Sequence, residues 1–209
     1  MGYITIIILT ESSKFSGRCV AGIDINTGKW VRLVSSDENS HGAISIKDLI
    51  CQDGQVCKVL DIVQVPIIKS CGTLIQPENV LIDDTKYITV LGKASLQDVL
   101  NIHPAETKEN ILGNIYSYIT EQRVYNVGYS LTLVKVSNAQ IHQTTTPEGK
   151  NKTKISFSYK GTLYKMLPVT DPNFYSVQDK TVYTNATLVI SIGTPYNNNY
   201  YKFVSGIFV

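Results

Sequence analysis

Residues 18–35 read RCVAGIDI, then NTG, then KWVRLVS. Two runs rich in apolar and β-branched residues flank a short turn that contains Gly28, and this arrangement is typical of a β-hairpin. In the first run apolar residues recur at alternate positions, at Cys19, Ala21 and Ile23. The segment therefore predicts two neighbouring strands with one face more apolar than the other.

The same pattern recurs along most of the chain. Further strands are predicted at residues 3–9, 55–66, 129–136, 154–159, 162–169, 187–192 and 200–209. The order is β-rich, helical and β-rich again, with about five strands in each β-rich half, which is the spacing of a small barrel. We expect a mainly β protein with a helical insert and two tandem OB-like small β-barrels. SH3-like or PUA-like barrels fit the periodicity almost as well.

The predicted domains are a first barrel over residues 1–92, a helical connector over residues 93–124 and a second barrel over residues 125–209. Within the connector, Ser95 and Asp98 have the spacing of a capping box and predict a short helix over residues 95–100. A longer helix is predicted over residues 105–122, because apolar residues follow helical spacing there.

The composition is that of an ordinary folded domain, with 43% hydrophobic and 17% charged residues among 209. No apolar run approaches the roughly 20 residues that cross a bilayer, so no membrane association is expected. The cysteines and histidines follow no zinc-ligand spacing, so we expect no metal and no other cofactor. The cysteines are Cys19, Cys51, Cys57 and Cys71. They are interpreted as buried, reduced thiols of a cytoplasmic protein.

Charge and tyrosine are unevenly distributed. Residues 1–120 carry ten basic and thirteen acidic side chains, whereas residues 121–209 carry nine basic and four acidic ones. The second part also holds nine of the thirteen tyrosines. Basic side chains neutralise phosphates and tyrosine rings stack on bases, so this part is a candidate nucleic-acid interface. The alternative is that tyrosine and lysine simply occupy half-exposed sheet faces.

Eight residues are candidate contacts to nucleic acid. They are Arg18, Trp30, Arg32, Lys152, Lys154, Tyr159, Lys160 and Tyr164. The lysines and tyrosines lie on or around one predicted hairpin, which suits a basic finger along a phosphate backbone. The alternative is a merely solubilising surface. Lys202, in the last strand, is expected at a barrel rim.

Trp30 and Arg32 are two residues apart in a predicted strand and therefore face the same side. An indole beside a guanidinium could stack a base and hold a phosphate. Alternatively, Trp30 anchors the first barrel and Arg32 covers its edge. Arg18 follows Ser16 and Gly17, where backbone amides could help to hold an anion, or it belongs to an ordinary solvated loop.

Three groups of segments carry a family resemblance. They are SGRCVAGID and TGKWVRLVS (residues 16–24 and 27–35), DIVQVP and QPEN (61–66 and 76–79), and YKG, VTDPNF, SIGTPY and YYK (159–161, 169–174, 191–196 and 200–202). In this order and spacing they resemble the bacterial dual OB-containing domain, a family associated with prokaryotic conflict and defence systems. The resemblance implies two OB-like barrels and a role in nucleic-acid recognition, and it supplies no catalytic residues. Leu33 stands where the W-x-R-P-V-S pattern has proline, which predicts a different strand end near Trp30 and Arg32.

No acid–base pair, phosphate loop or nucleophile constellation is indicated by the spacing of the candidate residues. We therefore predict a non-catalytic module that binds single-stranded or structured RNA or DNA. The alternative is an adaptor or sensor that binds a nucleotide signal or a protein partner and acts through a separate effector protein. The small net charge of +2 favours that alternative, because dedicated nucleic-acid binders are usually more basic.

Overall fold

The computed structural model of the protein describes residues 2–15 and 17–209. The chain divides into two compact units, the first ending at Pro104 and the second spanning Ala105–Val209. Each unit is built on a six-stranded sheet. Residues 93–104 belong to the first unit and residues 105–124 to the second.

The first unit is a closed barrel. Its strands are β1 (Gly2–Lys14), β2 (Gly17–Asp24), β3 (Trp30–Val34), β4 (Asp61–Ser70), β5 (Asn79–Ile82) and β6 (Thr89–Lys93). They are ordered β1-β2-β3-β5-β4-β6, and an additional pairing of β1 with β4 closes a ring of five strands. The β3–β5 pairing is parallel and the others are antiparallel. The apolar run in β1 supplies the centre of the barrel core, where Ile6 and Ile8 are buried with Val63 and Val65 of β4.

The hairpin predicted over residues 18–35 is confirmed as β2 and β3. Asp24 organises the turn, because its carboxylate accepts hydrogen bonds from the Asn26 amide (2.9 Å) and the Thr27 hydroxyl (2.8 Å). Gly28 adopts a positive φ of 67°, a conformation that glycine enters without steric cost. The turn therefore has local chemistry that fixes the register of the two strands.

The prediction of reduced thiols is wrong for Cys51 and Cys57. Cys51 and Cys57 form a disulfide with a Cα–Cα distance of 6.2 Å. The chain reverses between them, since the Cys51 amide donates to the Gln55 carbonyl, and this brings the cysteines within bonding range. Cys19 and Cys71 are free thiols and are only partly buried. The cytoplasmic location rested on reduced thiols and stays a prediction.

The short helix is confirmed as α1 (Leu96–Ile102), with the Ser95–Asp98 capping box in place. The long helix over residues 105–122 is wrong. That segment contains a 3-10 turn at Ile111–Gly113, a strand β7 (Tyr118–Thr120) and a four-residue helix α2 (Glu121–Val124). Leu112 and Gly113 have φ values of 51° and 83°, which no right-handed helix can accommodate.

The second unit is built on a more open sheet. After β7 its strands are β8 (Leu131–Thr145), β9 (Asn151–Tyr159), β10 (Thr162–Pro168), β11 (Val182–Tyr196) and β12 (Asn199–Phe208). They are ordered β10-β9-β8-β11-β12-β7. The end of β10 meets β12 in an isolated parallel bridge between Val169 and Val204, so the sheet curls into a half-barrel. The prediction of a mainly β protein with two OB-like barrels is thus confirmed.

Gly22 marks the closest approach between β2 and β1. A Cβ atom at this position would lie 2.0 Å from the Ile7 carbonyl oxygen, a backbone atom that cannot move aside alone. We expect Gly22→Ala to lower the free energy of unfolding by about 1–3 kcal/mol, the usual cost of overpacking. Urea denaturation followed by tryptophan fluorescence measures this loss.

Gly92→Ala is the matched control, because its Cβ would meet only the Ile62 side chain, at 3.9 Å. Equal stability losses in the two variants would contradict the steric argument.

Candidate nucleic-acid interface

Two of the predicted base-stacking residues lie in the core of the second unit. Tyr164 is 0% exposed and stacks on Phe157, with ring centroids 5.5 Å apart and planes 11° apart. Tyr159 is also buried and meets Tyr164 edge-on. Since a base stacks only on an accessible ring face, the role predicted for these two tyrosines is wrong. Burial raises the pKa of both phenols.

These tyrosines instead hold the segment between residues 106 and 114. The Tyr159 hydroxyl lies 3.0 and 2.7 Å from the carbonyl oxygens of Glu106 and Lys108. The Tyr164 hydroxyl accepts a hydrogen bond from the Ile111 amide at 3.0 Å. The Lys160 amino group donates to the Thr107 carbonyl. Tyr159, Lys160 and Tyr164, three of the eight predicted contact residues, therefore attach this segment to the β9–β10 hairpin.

Lys202 of β12 also bonds to this segment. Its side chain is 0% exposed, which contradicts the predicted position at a barrel rim. The amino group lies 2.6 Å from the Ile111 carbonyl, 2.6 Å from the Asn114 carbonyl and 2.8 Å from the Asn114 side-chain oxygen. Three acceptors match the three N–H groups of a protonated lysine. Burial lowers the pKa of Lys202 to about 7.

The predicted contacts in the first unit are largely covered. Arg32 is 3% exposed, which contradicts its predicted contact with phosphate, because its neighbours exclude a ligand. Trp30 is half-buried and packs edge-on against His103, with centroids 5.6 Å apart. Arg18 pairs with Glu11, with Nε 3.6 Å from Oε1. The anion site predicted beside it includes Ser16, which lies outside the described residues.

The lysines on β9 are where the sequence predicts them. Lys152 and Lys154 point outward, in phase with the partly exposed Ser156, while Ile155 and Phe157 point into the core. We name the outward row Lys152, Lys154, Ser156 and Ser158 the lysine strip. It offers two cations along one strand face, which suits contact with backbone phosphates, whereas the Ser156 hydroxyl already bonds to the Met166 amide and to His142 Nε2, each at 3.0 Å.

A second surface was missed by the sequence analysis. We name it the tyrosine surface, and it consists of Tyr116, Tyr118, Tyr196 and Tyr201. Tyr116, Tyr118 and Tyr196 are 58%, 38% and 67% exposed. The centroids of Tyr116 and Tyr118 are 6.1 Å apart with nearly parallel rings, and Tyr201 lies 6.1 Å from Tyr118 and 6.4 Å from Tyr196. Tyr201 is partly exposed, so the four rings form a continuous aromatic patch in which three are fully accessible.

Strand pairing explains the tyrosine surface. Tyr118 of β7 is the direct antiparallel partner of Tyr201 of β12, so both side chains leave the same face of the sheet. Tyr200 and Lys202 alternate with Tyr201 and point inward. The sequence signal was the run of adjacent tyrosines before Lys202, but it gave no indication of which one faces outward.

The described residues contain no group of three or more histidine, cysteine, aspartate or glutamate side chains arranged to hold a metal ion. No helix in that part of the chain is long and apolar enough to span a membrane.

The model of the dual OB-containing domain family matches residues 4–207, nearly the whole chain, and this confirms the family resemblance predicted from the sequence. The HINa domain of Ifi202, solved in complex with 20-bp double-stranded DNA, is similar at 10% identity and a TM-score of 0.33, over 99% of this chain and 94% of that one. The tetrameric HIN2 domain of p202 is similar at 9% identity and a TM-score of 0.33, over 100% of this chain and 95% of that one. No curated protein matches the chain.

The buried amino group of Lys202 should make the free energy of unfolding depend on pH. Lys202 has a pKa of about 7 in the folded protein and an ordinary value of 10.5 when unfolded. Between these values the unfolded chain binds a proton that the folded protein lacks, so the free energy of unfolding rises with pH over that window. Lys202→Met removes this contribution. Urea denaturation between pH 6.5 and 9.5 should therefore show a shallower rise for Lys202→Met than for the natural protein.

Lys165→Met, which removes an exposed lysine of β10, should keep the natural pH slope. Identical slopes for all three proteins would mean that Lys202 titrates normally.

Proposed function

We propose that this chain, which belongs to the dual OB-containing domain family, binds single-stranded nucleic acid on the tyrosine surface of its second unit. The observation that carries the proposal is a row of four tyrosine rings, three exposed and one partly exposed, with neighbouring centroids 6.1–6.4 Å apart. Unpaired bases present flat faces that stack on aromatic side chains with little regard to sequence. A duplex hides those faces, so single strands are the favoured ligand.

The rigidity of the platform supports this role. Cross-strand pairing fixes the backbone of Tyr118 and Tyr201, and the backbone amide of Tyr116 donates to the Asn114 side chain at 3.0 Å. A stacking surface that is already ordered loses little side-chain entropy on binding. The rings are therefore prepared for a ligand instead of being assembled by it.

The distribution of charge also supports nucleic-acid binding. The lysine strip and two of the four tyrosines, Tyr196 and Tyr201, belong to a part of the chain, residues 121–209, with nine basic and four acidic side chains. Lys152 and Lys154 are accessible on β9 and can neutralise backbone phosphates. The strip supplies affinity without sequence specificity, and stacking supplies the preference for unpaired bases.

The cellular role is also a proposal. The family resemblance suggests a module of a prokaryotic conflict or defence system, in which this chain recognises nucleic acid without catalysing a reaction and signals to a separate effector protein.

Removing the aromatic platform should weaken binding. Each stacked base is worth roughly 1–3 kcal/mol, or about 5- to 150-fold in Kd. We therefore expect Tyr118→Ala and Tyr201→Ala each to weaken binding to labelled single-stranded DNA or RNA within that range, as measured by fluorescence polarisation. Tyr87→Ala removes an exposed tyrosine of the first unit and should leave affinity unchanged. Equal Kd values for all four proteins would rule out the tyrosine surface.

Charge reversal on the lysine strip tests the phosphate contacts separately. Each phosphate contact contributes a slope of about 0.7 to the dependence of log K on log salt for single strands. The double variant Lys152→Glu/Lys154→Glu should therefore lower that slope by roughly 1.4 as well as weaken binding. Lys47→Glu/Lys69→Glu alters net charge equally at exposed positions of the first unit. An unchanged slope in the strip variant would remove these lysines from the interface.

A further inference from the structure

A pocket of about 500 Å³ opens in the second unit beside the Ile111–Gly113 turn. This size falls within the roughly 300–1,000 Å³ typical of small-molecule sites. The walls come from the turn, from β7 and from α2 with the loop that follows it. Two cationic side chains, Lys108 and Arg123, line the pocket, and no carboxylate does. Its charge therefore favours an anion.

Several polar groups in the pocket have no internal partner. The Arg123 guanidinium forms no ion pair or hydrogen bond with any residue that the structure describes, and the same holds for the side-chain amides of Asn110 and Asn126. An arginine fork matches phosphate oxygens bidentately. Side-chain amides offer donors and acceptors to the edge of a base. These groups are thus available to a ligand with both a phosphate and a base.

The second cation is held in place. The Lys108 amino group lies 4.0 Å from the centroid of the Tyr129 ring and 3.7 Å from Oε2 of Glu106, the carboxylate behind it. The Tyr129 hydroxyl donates to the same carboxylate at 3.0 Å. Burial would raise the pKa of Glu106, but backbone amides of Lys108 and Thr107 keep it below its ordinary value. Lys108 is thereby oriented before any ligand arrives.

The pocket wall is strained and firmly fixed. Leu112 adopts a left-handed conformation (φ 51°, ψ 41°) although it is not glycine. Such a residue costs on the order of 1–3 kcal/mol and persists only where the surroundings impose it. Lys202 bonds to the carbonyl oxygens of Ile111 and Asn114, on either side of Leu112. Strain of this kind concentrates at ligand sites, and here it faces a cavity.

We propose that this pocket binds a nucleoside monophosphate, either as a free nucleotide or as the terminal nucleotide of a strand. Arg123 and Lys108 hold the phosphate. The amides of Asn110 and Asn126 meet the base or sugar, and the partly exposed Val127 and Tyr129 provide apolar surface.

The pocket is joined to the tyrosine surface by one residue. The Asn114 side chain, which helps to line the pocket, donates from Nδ2 to the Tyr118 carbonyl at 3.0 Å and accepts from the Tyr116 amide at 3.0 Å. A strand stacked on the tyrosine surface therefore has a phosphate-binding cavity beside it. The proposal stands without the tyrosine surface, because a free nucleotide needs only the pocket.

Isothermal titration calorimetry with each of the four ribonucleoside monophosphates tests the site, with adenosine and inorganic phosphate as partial ligands. We expect saturable binding of at least one monophosphate and weaker binding of both partial ligands. Arg123→Gln should weaken monophosphate binding roughly tenfold or more, as expected for the loss of a charged hydrogen bond. Asn126→Ala should weaken it less. Lys165→Gln, at an exposed lysine outside the pocket, should bind as the natural protein does.

Oligonucleotides distinguish the two sources of the nucleotide. A 5′- or 3′-terminal phosphate that tightens binding of a short single strand, with the gain lost in Arg123→Gln, identifies a strand end. Monophosphate binding with no effect of a terminal phosphate identifies a free nucleotide. Either result supports the proposal.

The absence of saturable binding by every monophosphate, together with no effect of a terminal phosphate, would overturn the proposal. So would inorganic phosphate binding as tightly as the nucleotides, or an Arg123→Gln variant that binds normally. Tyr118→Ala separates this result from the proposed function, because it removes a stacking ring and leaves the lining side chains intact. Arg123 and Asn126 are exposed, and circular dichroism verifies that their variants are folded.

Discussion

The buried amino group of Lys202 is the constraint around which the second unit is arranged. A lysine without solvent contact must satisfy its donors internally, since an unpaired buried cation is very costly. Within residues 2–15 and 17–209, the oxygens it meets are those of Ile111 and Asn114, so the 111–114 turn lies across β12. In that position the turn is not a regular helix, Leu112 has a left-handed conformation, and Asn114 bonds to the strand that carries Tyr118. The pocket wall and the tyrosine surface both contain residues that this attachment positions.

Local signals predicted local structure well. The β2–β3 hairpin follows from its alternating apolar residues and its glycine-containing turn, and helix α1 follows from a capping box of adjacent residues. The helix predicted over residues 105–122 does not form, although its apolar residues do have helical spacing. Groups on Tyr164 and Lys202, some 50 and 90 residues away, bond to this segment and override that spacing. Propensity yields to tertiary contacts of that kind.

Side-chain direction was the main source of error at the candidate site. On β9, Tyr159 is an odd number of residues from Lys152 and Lys154, so strand alternation alone excludes a shared face. On β12 the alternation is equally strict, but tyrosine would be expected inside and lysine outside, and Tyr201 and Lys202 do the opposite. The partner that makes this arrangement favourable, Asn114, lies 88 residues before Lys202. Likewise, the burial of Arg32 is visible only in the folded barrel and not in the sequence.

The attachment of residues 111–114 to residue 202 also sets an order in time. A contact that spans 91 residues closes a large loop, and contacts between distant residues form slowly compared with hairpins and short helices. The first unit contains all of its own strand partners within residues 2–93, so its barrel can form while the rest of the chain is still being synthesised. The 111–114 turn, by contrast, receives the Lys202 amino group only after β12 has left the ribosome. Its surroundings therefore reach their final arrangement only after most of the chain has been made.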